Sequence, residues 1–323
     1  MKQINVLRLF QKYTIFLVLI ALIIFFSAFT RNFFSFGNFM TIARQVSMLG
    51  ISATGMTMIV LMGEMDLSVG SVGALVGIIC SVLMVNFGIH PVLAVTIAIA
   101  AGAVMGYING SITRYCGMPA LITTLGTMGI YRGFCYVLTR GLPVFGFADG
   151  FSYIGGGYIS IIPFPVIIMT LIMIMGALLL NNTAVGRYVY AIGGNKEAAR
   201  LSGINTGRVS VAMFTLSGAL SAIAGIILTS RLMSGQPSGN DGFEFDVITA
   251  VILGGISFRG GEGKINNVFW GVLIVGVLSN GLVMMNVDVY WQKIIKGIIL
   301  VSAVAFDSLN RARQANAPKK APV

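Results

Sequence analysis

Acidic side chains are scarce in this sequence, with 10 Asp and Glu against 21 Lys and Arg among 323 residues. Four of them fall in two matching triplets, Glu64-Met65-Asp66 and Glu244-Phe245-Asp246, about 180 residues apart. Each triplet stands beside an interruption in an apolar run. Asp66, Ser68, Gly70 and Ser71 open one such run, and Asp246 begins another that ends at Gly254-Gly255. Carboxylates, hydroxyls and glycines at breaks in apolar helices can border a polar route, because the freed backbone groups must face protein or a wet cavity. Arg132, between Tyr131 and Gly133 inside a third apolar run, is a charge that needs a partner or water at that depth. Lining the route and snorkelling to the outer interface both satisfy it, and its position does not choose between them.

Other chemistry finds little support. The glycine-rich stretch Gly260-Gly261-Glu262-Gly263-Lys264-Ile265 lacks the G-x-x-x-x-G-K-S/T spacing that cradles phosphates, and it reads as a tight turn. Cys80, Cys116 and Cys135 have no C-x-x-C spacing and lie in or beside apolar runs, which predicts buried packing residues rather than a disulfide framework or metal site. The single histidine, His90, precedes Pro91 and reads as a helix start. No Ser/His/Asp, Cys/His or metal-ligand constellation is present, which makes a membrane enzyme the weakest reading.

The elements that must position these residues are set by composition. With 56% hydrophobic residues, 10% charged residues and a mean hydropathy of +0.91, a soluble single-core domain is excluded. Apolar runs cover roughly 14–29, 43–62, 67–86, 91–113, 119–138, 160–180, 209–230, 246–258, 266–286 and 290–306, predicting ten membrane spans in one domain over 1–323. The first run follows basic residues as a secretory signal does, but no small-x-small cleavage site follows Phe29, so an uncleaved helix is expected. The net charge of +11 forms no basic face interleaved with aromatics, which argues for a membrane and against nucleic acid. A cytoplasmic N-terminus places Lys2, Arg8, Lys12, Arg114, Arg187, Lys196, Arg200, Arg208, Arg259, Lys264, Arg311, Arg313, Lys319 and Lys320 on the inner side, satisfying the positive-inside bias with both termini cytoplasmic. Arg31, Arg44, Arg140, Arg231, Lys293 and Lys296 then lie outside or within spans, with Arg132.

The two triplets, together with Asn109-Gly110 and Asn280-Gly281 near the ends of the fourth and ninth runs, suggest duplication. Halves of five spans each, about 14–138 and 160–306, must enter the membrane in opposite directions, giving an inverted-topology repeat. Gly102, Gly106 and Gly110 on the fourth run, and Ser217, Ser221 and Gly225 on the seventh, let helix backbones approach closely. The longest inner loop, about 181–208, contains Gly194, Asn195, Glu197, Ala198, Ala199, Arg200, Leu201, Ser202 and Gly203. It reads as a short helix capped by Asn195 and ended at Gly203, suited either to docking a soluble partner or to setting topology as a solvated basic loop.

The segments Gly63–Ser71 (G-x-x-D-L-S-V-G-S), Ala191–Asn205 (A-x-G-G-N-x-x-A-A-R-L-S-G-I-N) and Gln236-Pro237 followed by Glu244–Gly255 (E-x-D-x-I-x-A-V-I-L-G-G) resemble the inner-membrane permeases of bacterial ABC sugar importers. Within that family, which includes xylose, arabinose, galactofuranose and autoinducer-2 permeases, the similarity is closest to the ribose group and runs from about Asn32 to Asp307. The resemblance implies an all-α permease of two five-helix inverted repeats. It would act as a homodimer or beside a paralogous permease, receive a sugar from a periplasmic binding protein, and be driven by a cytoplasmic ATPase. It also implies that Glu197-Ala198-Ala199 and Gly203 match an E-A-A-x-x-x-G coupling pattern, and that ATP and magnesium belong to the ATPase, this chain binding no cofactor. A permease for branched-chain amino acids and an ion-coupled secondary transporter are the alternatives; the second should carry more acids or histidines within its spans.

Overall fold

The computed structural model describes residues 6–315, and places side chains from 15 to 305 and at Ser308. The topology residues Lys2, Lys319 and Lys320 lie outside the described residues, and the side chains of Arg8, Lys12, Arg311 and Arg313 are likewise outside them. The described residues are mostly helical. In order come α1 (Val6–Phe29), α2 (Phe36–Leu61), α3 (Val69–Val85), α4 (Pro91–Tyr115), α5 (Ala120–Thr139) and α6 (Ser152–Gly156). A small antiparallel hairpin follows, β1 (Tyr158–Ile159) and β2 (Ile162–Pro163). Then come α7 (Phe164–Asn182), α8 (Ala184–Gly194), α9 (Lys196–Leu201), α10 (Thr206–Leu232), α11 (Phe243–Leu253), α12 (Ile265–Met284) and α13 (Val289–Ala315).

Each expected span falls on a helix, but the helices differ in kind. Among the described residues α4, α7, α10 and α12 are long and apolar enough to cross a membrane by length and composition. The two runs read as interrupted are the short ones. At about 1.5 Å per residue, the 17 residues of α3 and the 11 of α11 fall short of a hydrocarbon core of about 30 Å. Glycine and serine set their ends: Gly63 (φ +76°) turns the chain before α3, Gly242 (φ +79°) starts α11 and Gly255 (φ +80°) follows it. Helix starts carry local caps. The Asn38 amide donates to Ser35 Oγ at the head of α2, and the Val92 amide donates to His90 Nδ1 with Pro91 at the first position of α4. Cys80 and Cys135 are buried and free. Cys116 corrects the expectation of a packing residue: α4 ends there and leaves it exposed.

Helix directions follow from the connections. One face of the bundle gathers the end of α2, α8–α9, the start of α10 and the turn after α11, where the Gly261 amide donates to Leu61 O at 2.8 Å. The opposite face carries the hairpin, α6 and the Val144–Gly235 bridge. Helices α2, α4, α11 and α13 therefore run toward the α9 face, and α10, α12, α3 and α5 run away from it. Packing is reciprocal between these sets. Helix α4 lies along α10 as α12 lies along α2, and α3 packs on α4, α5 and α10 as α11 packs on α12, α13 and α2. The reciprocity ends at α1, which packs on α12, and α7, which packs on α2.

The larger core surrounds α2, whose residues from Val46 to Leu61 are all buried, as expected of a helix apolar on every side. A second cluster joins α3, α4 and α5. The small-residue faces explain the closest approaches. On α4, Gly102 faces Gly218 and Ala222, Gly106 faces Phe214 and Thr215, and Gly110 faces Val211 of α10. Ser217 and Gly225 turn elsewhere, against Gly55 of α2 and Gly73 of α3. Helix α10 is thus the common wall of both halves.

Candidate functional site

The turn into α3 is built around Asp66, which is 1% exposed. Its Oδ1 accepts from the Ser68 amide at 2.9 Å and from Ser68 Oγ at 2.6 Å. The Asn109 Nδ2 of α4 donates to Ser68 Oγ at 2.8 Å, and the Tyr131 hydroxyl of α5 lies 3.1 Å from Asn109 Oδ1 and 3.2 Å from Met105 O. Thr124 Oγ1, also on α5, accepts from the Leu67 amide at 3.1 Å. A buried chain of polar groups therefore runs from α5 through α4 to the break, and each link satisfies a group that lipid could not. Ser71 donates back to Ser68 O at 2.9 Å.

The second break lies against the first. Glu244, in the first turn of α11 and 5% exposed, abuts Gly70, as does Asn240 O, so the two short helices touch at their starts. Asp246 pairs with Lys296 of α13 at 2.7 Å, and Asp241 pairs with Lys293 at 2.8 Å. Arg132 is half-buried, and its Nη1 donates to Pro237 O at 2.9 Å and Gly239 O at 2.7 Å. It therefore ties α5 to the turns before α11, a partner that neither reading of its sequence position foresaw. Replacing Arg132 by alanine frees both carbonyls; we expect a loss of about 1–3 kcal/mol, read as a lowered melting midpoint in detergent with the secondary structure retained.

Of the residues expected along a route, Asp66, Ser68, Gly70, Ser71 and Glu244 are gathered at the junction of α3 and α11, with Asp246 and Arg132 on its flanks. Gly254 and Gly255 are not: they end α11 on the α9 face, Gly254 against Val268 of α12. The junction is closed rather than channel-like. The cavity beside it, lined by Gly73, Gly225, Thr229, Gln236 and Asn240, has a volume of about 10 Å³, room for one water at most. Asn109, Tyr131 and Thr124 are the functional candidates that sequence reasoning missed. In sequence Asn109 stands out only as an echo of Asn280, and that echo is incomplete, because Asn280 is buried with its Oδ1 unpartnered.

The 181–208 segment is two helices, not a loop with one. Thr183 caps α8, and Asn195 caps α9 by accepting from the Ala198 amide at 2.9 Å. Gly203 adopts φ +85° just beyond α9. Ala199 is buried and anchors α9, while Gly194, Asn195, Ala198, Ser202 and Gly203 are exposed. Glu197 and Arg200 pair at 2.5 Å on the open side, and Leu201 is 77% exposed beside them. The Arg200 guanidinium holds the Glu197 carboxyl below the usual carboxylate range. An apolar side chain flanked by a charged pair on a short anchored helix is a surface suited to a protein partner. Glu64, the first acid of its triplet, accepts from Lys196 Nζ at 3.1 Å and from Ser210 Oγ at 2.7 Å.

Residues 38–304 match the family described as branched-chain amino acid transport system / permease component. The ribose import permease protein RbsC of Bacillus subtilis is 42% identical over 308 residues, covering 95% of each chain. That of Haemophilus influenzae is 41% identical over 297 residues, 91% of this chain and 92% of its own. The L-arabinose transport system permease protein AraH of Escherichia coli is 40% identical over 306 residues, 93% of this chain and 91% of its own. No solved structure matches.

Proposed function

Because the chain belongs to the permease family described as branched-chain amino acid transport system / permease component, we propose that it is the membrane subunit of an ATP-driven importer for ribose or a related monosaccharide. The observation that carries the reading is identity of about 40% or more, over nine-tenths of the chain, to permeases named for ribose and L-arabinose. The family's description favours branched-chain amino acids as a second reading. Purifying the cognate binding protein and titrating it with ribose, L-arabinose and leucine separates the two: heat released by leucine alone sinks the sugar assignment.

The subunit is a multi-pass membrane protein and works in transport rather than catalysis. Two inverted five-helix repeats, each with one helix (α3 or α11) too short to span alone, are supported by the opposed directions and reciprocal packing of α2–α5 and α10–α13. In this arrangement the start of α1 and the end of α13 are on the cytoplasmic side, the α9 face that carries Lys196, Arg200 and Arg208. The closed junction of α3 and α11 supports a pathway between two permease subunits, either two copies of this chain or this chain and a paralogue, with the starts of the short helices near its wall. Substrate reaches it from a periplasmic binding protein. ATP and magnesium act on the ATPase, and closure of that partner moves α9 and exchanges outward-facing for inward-facing arrangements.

Replacing Glu197 by alanine, or Gly203 by valine in its left-handed conformation, should cut uptake by about tenfold and weaken retention of the ATPase. Membrane insertion should be unchanged. Normal uptake and normal ATPase retention in both variants would remove the docking role of α9. Deleting the ATPase should stop accumulation altogether, and accumulation that survives on an ion gradient would favour a secondary transporter.

A further inference from the structure

Three backbone turns meet at the foot of α9 with almost no side chain between them. The Gly261 amide donates to Leu61 O at 2.8 Å, and a Cβ on Gly260 (φ +84°) would lie 2.6 Å from the Gly63 amide nitrogen. Gly193, at the end of α8, is pressed between Leu61 O and the Gly261 amide, where a Cβ would collide with both. The end of α8 therefore touches two places at once: the turn that leads into α3 and the turn that leads out of α11. Those are the two short helices whose starts meet at the buried junction.

A polar contact reinforces this meeting point. Lys196, the first residue of α9, reaches Glu64 in the turn before Asp66, and Glu64 also holds Ser210 in the first turns of α10. Glu64 has a side chain only 11% exposed, against 61% for Lys196. A largely desolvated carboxylate held from both sides resists separation from its partners more than an open surface pair does. Backbone packed on backbone leaves no flexible side chain to absorb a displacement.

We propose that Gly63, Gly193, Gly260 and Gly261, with the Glu64–Lys196 pair, form a rigid joint that carries movement of α8–α9 into both short helices together. These are positioning residues. Only Lys196 belongs to α9, and its Nζ reaches back to Glu64 rather than toward Glu197, Arg200 and Leu201; the proposal rests on the reading that the partner docks on α9. Coupling through the joint differs from docking in what it controls: docking sets whether the ATPase stays bound, and the joint sets how much transport each hydrolysis drives.

The test uses the full complex of permease, ATPase and binding protein reconstituted in liposomes, with sugar imported per ATP hydrolysed as the readout. Lys196→Glu and Glu64→Lys should each lower that ratio about fivefold or more while the ATPase still co-purifies. The double exchange Lys196→Glu with Glu64→Lys restores the attraction and should bring the ratio back to near wild type. Single variants with the wild-type ratio overturn the joint and leave the docking reading standing. A double exchange as poorly coupled as the singles also overturns it, because a joint held by this charge pair would be restored by swapping the charges. Normal uptake and normal ATPase retention in both the Glu197→Ala and Gly203→Val variants sink the docking reading itself, a result separate from either of these.

Discussion

Gly106→Val is expected to yield no folded permease. A Cβ at this position would meet the Phe214 carbonyl, at 2.9 Å from its carbon and 3.1 Å from Thr215 Cα, so the obstacle is backbone and cannot rotate away. Helices α4 and α10 would have to separate along the contact made by Gly102, Gly106 and Gly110, and α10 also carries the packing against α2 and α3. Overpacking of a well-filled core costs typically about 1–3 kcal/mol, and a collision with backbone on the central helix belongs at or above the top of that range. In membranes the loss is compounded, since close contact between small residues is itself the source of helix association. Size-exclusion profiles of the detergent-extracted protein should show aggregate only. Gly129→Val on α5, where nothing lies within 4 Å, is the matched control and should give a normal monodisperse peak. A monodisperse Gly106→Val protein would show that α4 and α10 do not pack as described.

Asp66→Ala should lower uptake by more than a hundredfold and lower stability as well. It removes the acceptor shared by the Ser68 amide and Ser68 hydroxyl, both buried where water cannot replace it. Each buried group left unsatisfied costs about 1–3 kcal/mol. The disturbance then spreads along the chain, because Ser68 Oγ accepts from Asn109 and Asn109 Oδ1 faces the Tyr131 hydroxyl. Asp66→Asn keeps an oxygen in place of Oδ1 and should retain most of the stability. Tyr131→Phe removes only the last link and should cost about 1 kcal/mol. The order Ala, then Phe at 131, then Asn, from most to least harmful in thermal melts, tests the chain as a unit. Equal effects for Asp66→Ala and Asp66→Asn would mean that the carboxylate's charge, rather than its place in the chain, is what matters.

Local features were legible in the sequence because their causes are local. Glycine and serine after Asp66, and the glycine pair at 254–255, marked the two short helices, and Asn195 and His90-Pro91 marked helix starts that carry those caps. The i, i+4 glycines on the fourth run marked the α4 face that packs on α10. What could not be read depends on pairing between distant segments. Nothing near Asn109 in sequence points to Ser68, 41 residues away, and nothing near Glu64 points to Lys196, 132 residues away. Arg132 was visible as a buried charge, but its partners are backbone carbonyls, which every residue possesses and no motif records. Helix α8 is not legible because Asn181-Asn182-Thr183 and Arg187 read as an inner loop, while Val189 and Ile192 supply the buried face that holds it as a helix. The junction of α3 and α11 brings together residues from both triplets, so their matching spacing pointed to their importance without revealing that they touch.

The two short helices are held by different kinds of force. The start of α3 is fixed by short hydrogen bonds sealed from solvent, whereas α11 is moored to α13 by the partly buried Asp246–Lys296 pair and, just before it, by the exposed Asp241–Lys293 pair. Dissolved ions screen open charges far more than enclosed dipoles. The salt of the surrounding medium thus has a grip on one half of the molecule that it lacks on the other, and a near-symmetric architecture carries an unequal response to its environment.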